Sequence, residues 1–221
     1  MISTRIFASA AASLMLAMMS AGAASAADDP PAVSPDGLEL VKKSKLDVVY
    51  RRPGVDFAGY SRIMLDPVEV AFKKQWTRDF NRISNNDRER IRSEVAKEFH
   101  DVFVEELEKK GGYKIVNAAA PDVLRVSAGV VELYINAPDT MSSGRSTTYA
   151  LSTGEATLVA EARDSVSGSV IGRVTDRQRA RESATMQWIT RARNRADARM
   201  IMQKWAAALR EGLDEARGVS K

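Results

Sequence analysis

The chain contains no cysteine. That excludes disulfide crosslinks and thiolate metal sites, and it removes the residue on which bacterial lipid anchors are built. Histidine occurs once, at His100, so an imidazole ligand or base there has no second imidazole to work with. Aromatic residues make up only 6% of the chain, which leaves few rings to spare for a stacking surface. Phosphate-loop and dinucleotide glycine fingerprints are absent, and no calcium-loop spacing occurs, Asp28 and Asp29 standing in a tether. The glycines near Ser142, Ser143 and Gly144, and between Ser165 and Ser169, fit no nucleophile elbow. Beyond residue 26 no stretch is long and apolar enough to span a bilayer.

What is present begins with a leader. Arg5 precedes an uncharged run from Ile6 to Ala24 that holds Leu14, Met15, Leu16, Met18 and Met19, and the run ends in the small residues Ala24, Ser25 and Ala26. A basic start, an apolar middle and small residues two apart are the three parts of a secretory signal. The run is diluted by Ala, Ser and Gly, which distinguishes it from a membrane anchor of about 20 strongly apolar residues. The expectation is cleavage after Ala26 and a soluble periplasmic protein. Cleavage leaves 195 of the 221 residues and lowers the formal net charge from +4 to +3, since Arg5 is the only charge lost. So mild a charge permits attraction to anionic surfaces without requiring it, and export makes nucleic acid an unexpected partner.

The organisation expected after the signal peptide (1–26) is a flexible lead over 27–45, rich in Pro and Gly, and one domain over 46–217. Leu46 to Tyr50 reads as a strand, and Arg51 to Gly54 as a turn. Ile63 to Val70 reads as a strand carrying Pro67 near its middle, hence an edge strand or a bulge. Residues 73–86 are polar, with Trp76 and Phe80, and give at most a loose helical turn. Ile91, Val95, Phe99, Val102 and Leu107 form one stripe at helical spacing, with Asn86 as a cap and Lys109 to Gly112 as the end, so a helix is expected to Lys110. Tyr113 to Val116 reads as a strand. Val123 to Ile135 reads as a longer one, with a change of phase near Gly129. After a polar connection over 136–153, Glu155 to Arg163 and Val170 to Arg179 alternate as a hairpin around Asp164 to Ser169. A last helix from Arg193 to Ala216 buries Ile201, Trp205, Ala208, Leu209 and Leu213. The pattern predicts an α+β fold: a mostly antiparallel sheet of four to six strands with two main helices on one face.

Tyr50 to Gly54, Tyr60, the run Ile63 to Val70, Ala162 to Ser165 with Gly168, and Trp205 to Leu209 together resemble the domain of unknown function 3313 family, over about residues 36 to 217. The resemblance implies a bacterial exported protein. Many members read as lipoproteins, and no established activity or catalytic residue carries over. The missing cysteine departs from the lipoprotein pattern.

Candidate chemistry is sparse. His100 lies at the flank of an apolar stripe, where a boundary role is ordinary. Glu105 and Glu106 sit at a helix edge, where neighbouring lysines solvate them. The arginines form the one cluster: Arg173, Arg177, Arg179 and Arg181 end the hairpin, and Arg191, Arg193, Arg195 and Arg199 open the last helix. The planar guanidinium fork suits phosphate and carboxylate. Arg173, Arg177, Arg179, Arg193 and Arg195 are therefore the candidate anion-binding set, for anionic lipid or glycan phosphate. Asp176, Glu182 and Asp197 oppose them, and a solvated face is the simpler reading. Trp188 and the patch Met200 to Met202 are further candidate contacts. No catalytic residue, metal or cofactor is assigned. The sequence points to a non-enzymatic envelope accessory with a protein partner.

Overall fold

In this computed structural model the described residues are 29–136, 138, 149–150, 153–180, 187–188 and 191–218; the leader and most of the 136–153 connection lie outside them. Among the described residues ten strands and three α-helices follow one another: β1 (Glu39–Leu40), β2 (Val48–Arg51), β3 (Arg62–Leu65), β4 (Glu69–Phe72), α1 (Lys74–Asp79), α2 (Asn85–Val104), β5 (Lys114–Ile115), β6 (Val123–Ile135), β7 (Tyr149–Ala150), β8 (Gly154–Asp164), β9 (Val170–Arg179), β10 (Gln187–Trp188) and α3 (Arg191–Ala216). Eight strands make one open sheet in the order β1-β2-β9-β8-β6-β3-β5, with β4 also on β6, while β7 and β10 pair separately.

The sheet is larger and more mixed than the four to six mostly antiparallel strands expected from the sequence. Its antiparallel half runs from β1 to β6, and its parallel half comprises β3 and β4 on β6 and β5 on β3. The cause is Pro67. Lacking an N–H, proline interrupts the strand expected over 63–70. The segment divides at Asp66 to Val68 into β3, which aligns Arg62 to Leu65 with Val123 to Val126, and β4, which aligns Glu69 with Gly129 and Phe72 with Leu133. The two-residue strand β1 is too short to carry a legible alternation, whereas β5 falls within the strand expected over Tyr113 to Val116.

One face of the sheet holds the core. Leu124, Val126, Ala128 and Val130 of β6 join Ala156 and Leu158 of β8 and Ile171 of β9 there. Against them pack Phe99, Val102, Phe103 and Leu107 from the α2 region and Met202, Trp205, Ala206 and Leu213 from α3. Both long helices therefore serve one core, as the stripes predict. The phase change in β6 falls at Glu132, which adopts φ 51°, and not at Gly129. The resulting bulge returns Leu133 to the core face. Gly129 answers a different need: a Cβ there would lie 3.3 Å from the Val159 side chain.

Several local expectations are revised. Ser84 rather than Asn86 caps α2, accepting from the Asp87 N–H. Beyond Val104 the helix widens into a π turn over Glu105–Lys110 that faces Glu106 and Leu107 inward together. The loose turn at 73–86 contains the regular helix α1, pinned by fully buried Trp76, which stacks on Phe72 at 4.0 Å. In α3, Met202 takes the core place expected for Ile201, and Met200 is 55% exposed. The lead expected to be flexible to residue 45 is attached from Pro31. Its carbonyl accepts from the Tyr50 hydroxyl at 2.8 Å, Val33 bridges Glu39, and Leu38 is fully buried. Burial of Leu38 outweighs the turn-rich composition around it. The chain from Pro31 onward forms one compact unit.

Candidate functional site

The arginine set is distributed over several carboxylates. Alternation along β9 turns Arg173, Arg177 and Arg179 to the face opposite the core, where the ladder sets Glu161 beside Arg173 and Glu155 beside Arg179. Arg173 reaches Glu161 and Asp36, both at 2.9 Å. Arg177 and Arg179 share Glu155 at 2.7 and 3.2 Å, and Lys73 joins them at 2.6 Å. Burial pushes the Glu155 carboxyl up, but Lys73, Arg177 and Arg179 together outweigh it and hold the group at about 2. On α3, Arg195 binds Glu98 of α2 at 2.9 Å, and Arg199 spans Glu98 and Glu105 at 2.6 Å each. Arg193 lies 4.0 Å from Asp197. An anion arriving at these guanidinium groups would compete with carboxylates already in place. Arg181 and the side chains of Trp188 and Arg191 lie outside the described residues.

Asp176 and Glu106, both expected at the surface, are buried, and so is Glu98. Asp176 is 1% exposed and is held by the Trp205 indole N–H at 2.7 Å, the Gln178 amide at 2.6 Å and the Asp47 backbone N–H at 2.9 Å. Its alternation with Gly172 and Val174 already places it inward. Glu106, 4% exposed, binds Arg210 at 3.0 Å and Lys110 at 2.7 Å. Glu98, also buried, ties α2 to α3 through Arg195 and Arg199. Each is a clamp between elements, because a buried carboxylate is stable only when its charge is met by donors or cations.

His100 stands exposed at the rim of a shallow, mainly apolar cleft of about 310 Å³ between α2 and the β3–β4 break, lined by Leu65, Asp66, Pro67, Val68, Ala96 and Phe99. Its nearest acid is Asp101 at 3.8 Å. Asp66 in the same cleft is occupied by Arg125 at 2.9 Å and by Ser127. Among the described residues no cluster of three or more His, Asp or Glu is arranged to hold a metal ion.

Beside this cleft the sheet is open. Among the described residues β4 pairs with β6 and with no other strand. Glu69 and Ala71 are exposed, while Val70 and Phe72 are half-buried against the core. The Lys73 N–H donates to the Leu133 carbonyl of β6 at 3.0 Å. Since successive residues of a strand turn their backbone groups to opposite sides, Val70 and Phe72 direct theirs away from β6. A short edge with outward N–H and C=O groups invites another chain, and among the described residues β4 offers a longer one than the two-residue terminal strands β1 and β5. Pro67 pointed to an edge strand or a bulge; the place of β4 on β6 follows only from the fold.

No curated protein matches the chain. Among solved structures, a Xanthomonas campestris protein of family DUF330 is 14% identical, with 72% of this chain and 86% of that one covered at a TM-score of 0.43. The PelC dodecamer from Paraburkholderia phytofirmans is 15% identical, with 73% and 96% covered at a TM-score of 0.37. Residues 28–209 match the model of DUF3313, described as a protein of unknown function, and the chain belongs to that family.

Proposed function

We propose that this is an exported envelope protein that acts without catalysis, by binding another protein at the β4 edge. The leader ending at Ala26 supports export, as a basic start, an apolar run and small terminal residues do generally. The observation that carries the binding role is the open side of β4, with exposed Glu69 and Ala71 and the outward backbone of Val70 and Phe72. Strand addition draws affinity from main-chain hydrogen bonds and selectivity from alternate side chains, so it needs no pocket and no cofactor.

The test is crosslinking in cells. A photo-crosslinking amino acid replaces Ala71, or Thr175 on β9 as a control, and the protein is recovered by fractionation. The expected result is a periplasmic protein beginning at Ala27 with a discrete crosslinked product from position 71 alone. A cytosolic protein retaining Met1, or no product at position 71, overturns the reading.

A further inference from the structure

We infer that the protein on β4 is a second copy of this chain, paired antiparallel about a two-fold axis through Ala71. The inference rests on the β4-edge reading above and names its occupant.

A two-fold axis normal to the sheet keeps each face on its own side, so a residue of one copy must stand opposite a residue of the same parity in the other. Three registers keep β4 in the ladder. Placing Val70 on the axis would set Glu69 opposite Ala71 and Lys73 opposite Pro67, leaving neither charge a partner across the seam. Placing Phe72 on the axis would draw Gln75, inside α1, into a strand. Placing Ala71 on the axis uses only Glu69 to Lys73.

That register satisfies three separate features. Val70 stands opposite Phe72 of the second copy, and these are the residues whose backbone groups turn away from β6. Each such pair exchanges two hydrogen bonds, and symmetry repeats it. Ala71 meets its own copy at a non-hydrogen-bonded position, where Cα atoms approach to about 4.5 Å and a small side chain fits best. Glu69 stands opposite Lys73 at the positions where cross-strand side chains lie closest, and the charges are opposite. Glu69 is exposed and holds no ion pair among the described residues. Lys73 binds Glu155, which keeps Arg177 and Arg179 when the lysine turns to a new partner.

Sedimentation equilibrium over a concentration series tests the pairing. The purified protein is expected to show a monomer–dimer equilibrium. Glu69→Lys and Lys73→Glu, each setting like charges opposite one another, should weaken it about tenfold, and the double exchange should restore it. A fold-independent check uses the absence of native cysteine: Ala71→Cys should oxidise to a disulfide-linked dimer, because cross-strand Cα spacing there suits the bond, and Thr175→Cys should not. A monomer at all concentrations, with no preferential disulfide at position 71, overturns the inference. If position 71 then still crosslinks to a different protein in cells, the edge reading survives and only the second copy falls. If it crosslinks to nothing, both fall.

Discussion

The indole N–H of Trp205 donates to the Asp176 carboxylate at 2.7 Å, and both side chains are 1% exposed. This contact fastens α3 to β9 in the middle of the core. The Asp47 N–H on the same carboxylate adds the entry to β2. Among the described residues the donors to Asp176 are the neutral Trp205 indole, Gln178 amide and Asp47 backbone N–H.

Trp205→Phe keeps a ring in the core and removes one donor from a buried carboxylate. It should cost about 1–3 kcal/mol in urea unfolding. Trp205→Ala adds a cavity and should cost about 3–5 kcal/mol. A Phe variant as stable as the parent would show that the hydrogen bond contributes nothing.

Glu155 makes stability depend on acid. Its folded value of about 2 lies below the ordinary 4.5, so the fold favours the carboxylate. The contribution is complete above pH 4.5 and disappears as pH falls toward 2. A shift of that size corresponds to about 3 kcal/mol, and the exposure of Arg177 and Arg179 reduces it to about 1–2 kcal/mol. The gap in stability between parent and Glu155→Gln should therefore narrow across that window. A constant gap in pH-dependent unfolding would refute the assignment.

Two glycines should respond oppositely to alanine. At Gly154 a Cβ would stand 2.1 Å from the Tyr134 carbonyl oxygen, with φ at 155°. Gly154→Ala must displace β6 or β8 and should cost more than about 2 kcal/mol. Gly212 lies in α3 with nothing within 4 Å of the added Cβ. Gly212→Ala should raise stability by about 0.5–1 kcal/mol. Thermal melts of the pair decide both.

At Glu132 the strained φ of 51° belongs to a residue that tolerates it poorly. Glu132→Gly should hold the bulge with less strain and leave stability unchanged or raised by about 1 kcal/mol. A clear loss would mean that the Glu132 side chain itself supports the sheet.

The elements legible in the sequence were those governed by local periodicity. The stripe from Ile91 to Leu107 and the alternation from Glu155 to Arg179 each state which face is buried, and the fold keeps both, save that Ile171 rather than Val170 enters the core at the register shift beside Ala162 and Arg163. Inward parity even points to Asp176, although its charge argued for the surface. Long-range choices were not legible. Nothing near Pro67 announces that the halves of one run will both lie parallel to β6, because that depends on residues some sixty positions away. Nor does a sequence of acids and bases say that Glu98, Glu106 and Asp176 go inside while Glu155 gathers three cations. Those pairings are set by the docking of helices on the sheet, and the edge at β4 is likewise a product of topology.

Because β6 is the shared neighbour of β8, β3 and β4, the sheet has an intrinsic order of assembly and of breathing. The β8–β9 hairpin closes over a few residues, whereas Arg62 must find Val123 across a long loop. In native-state hydrogen exchange the hairpin amides should open last. At concentrations where the chain is monomeric, those of β4, tied to the hub by one short parallel ladder, should exchange first.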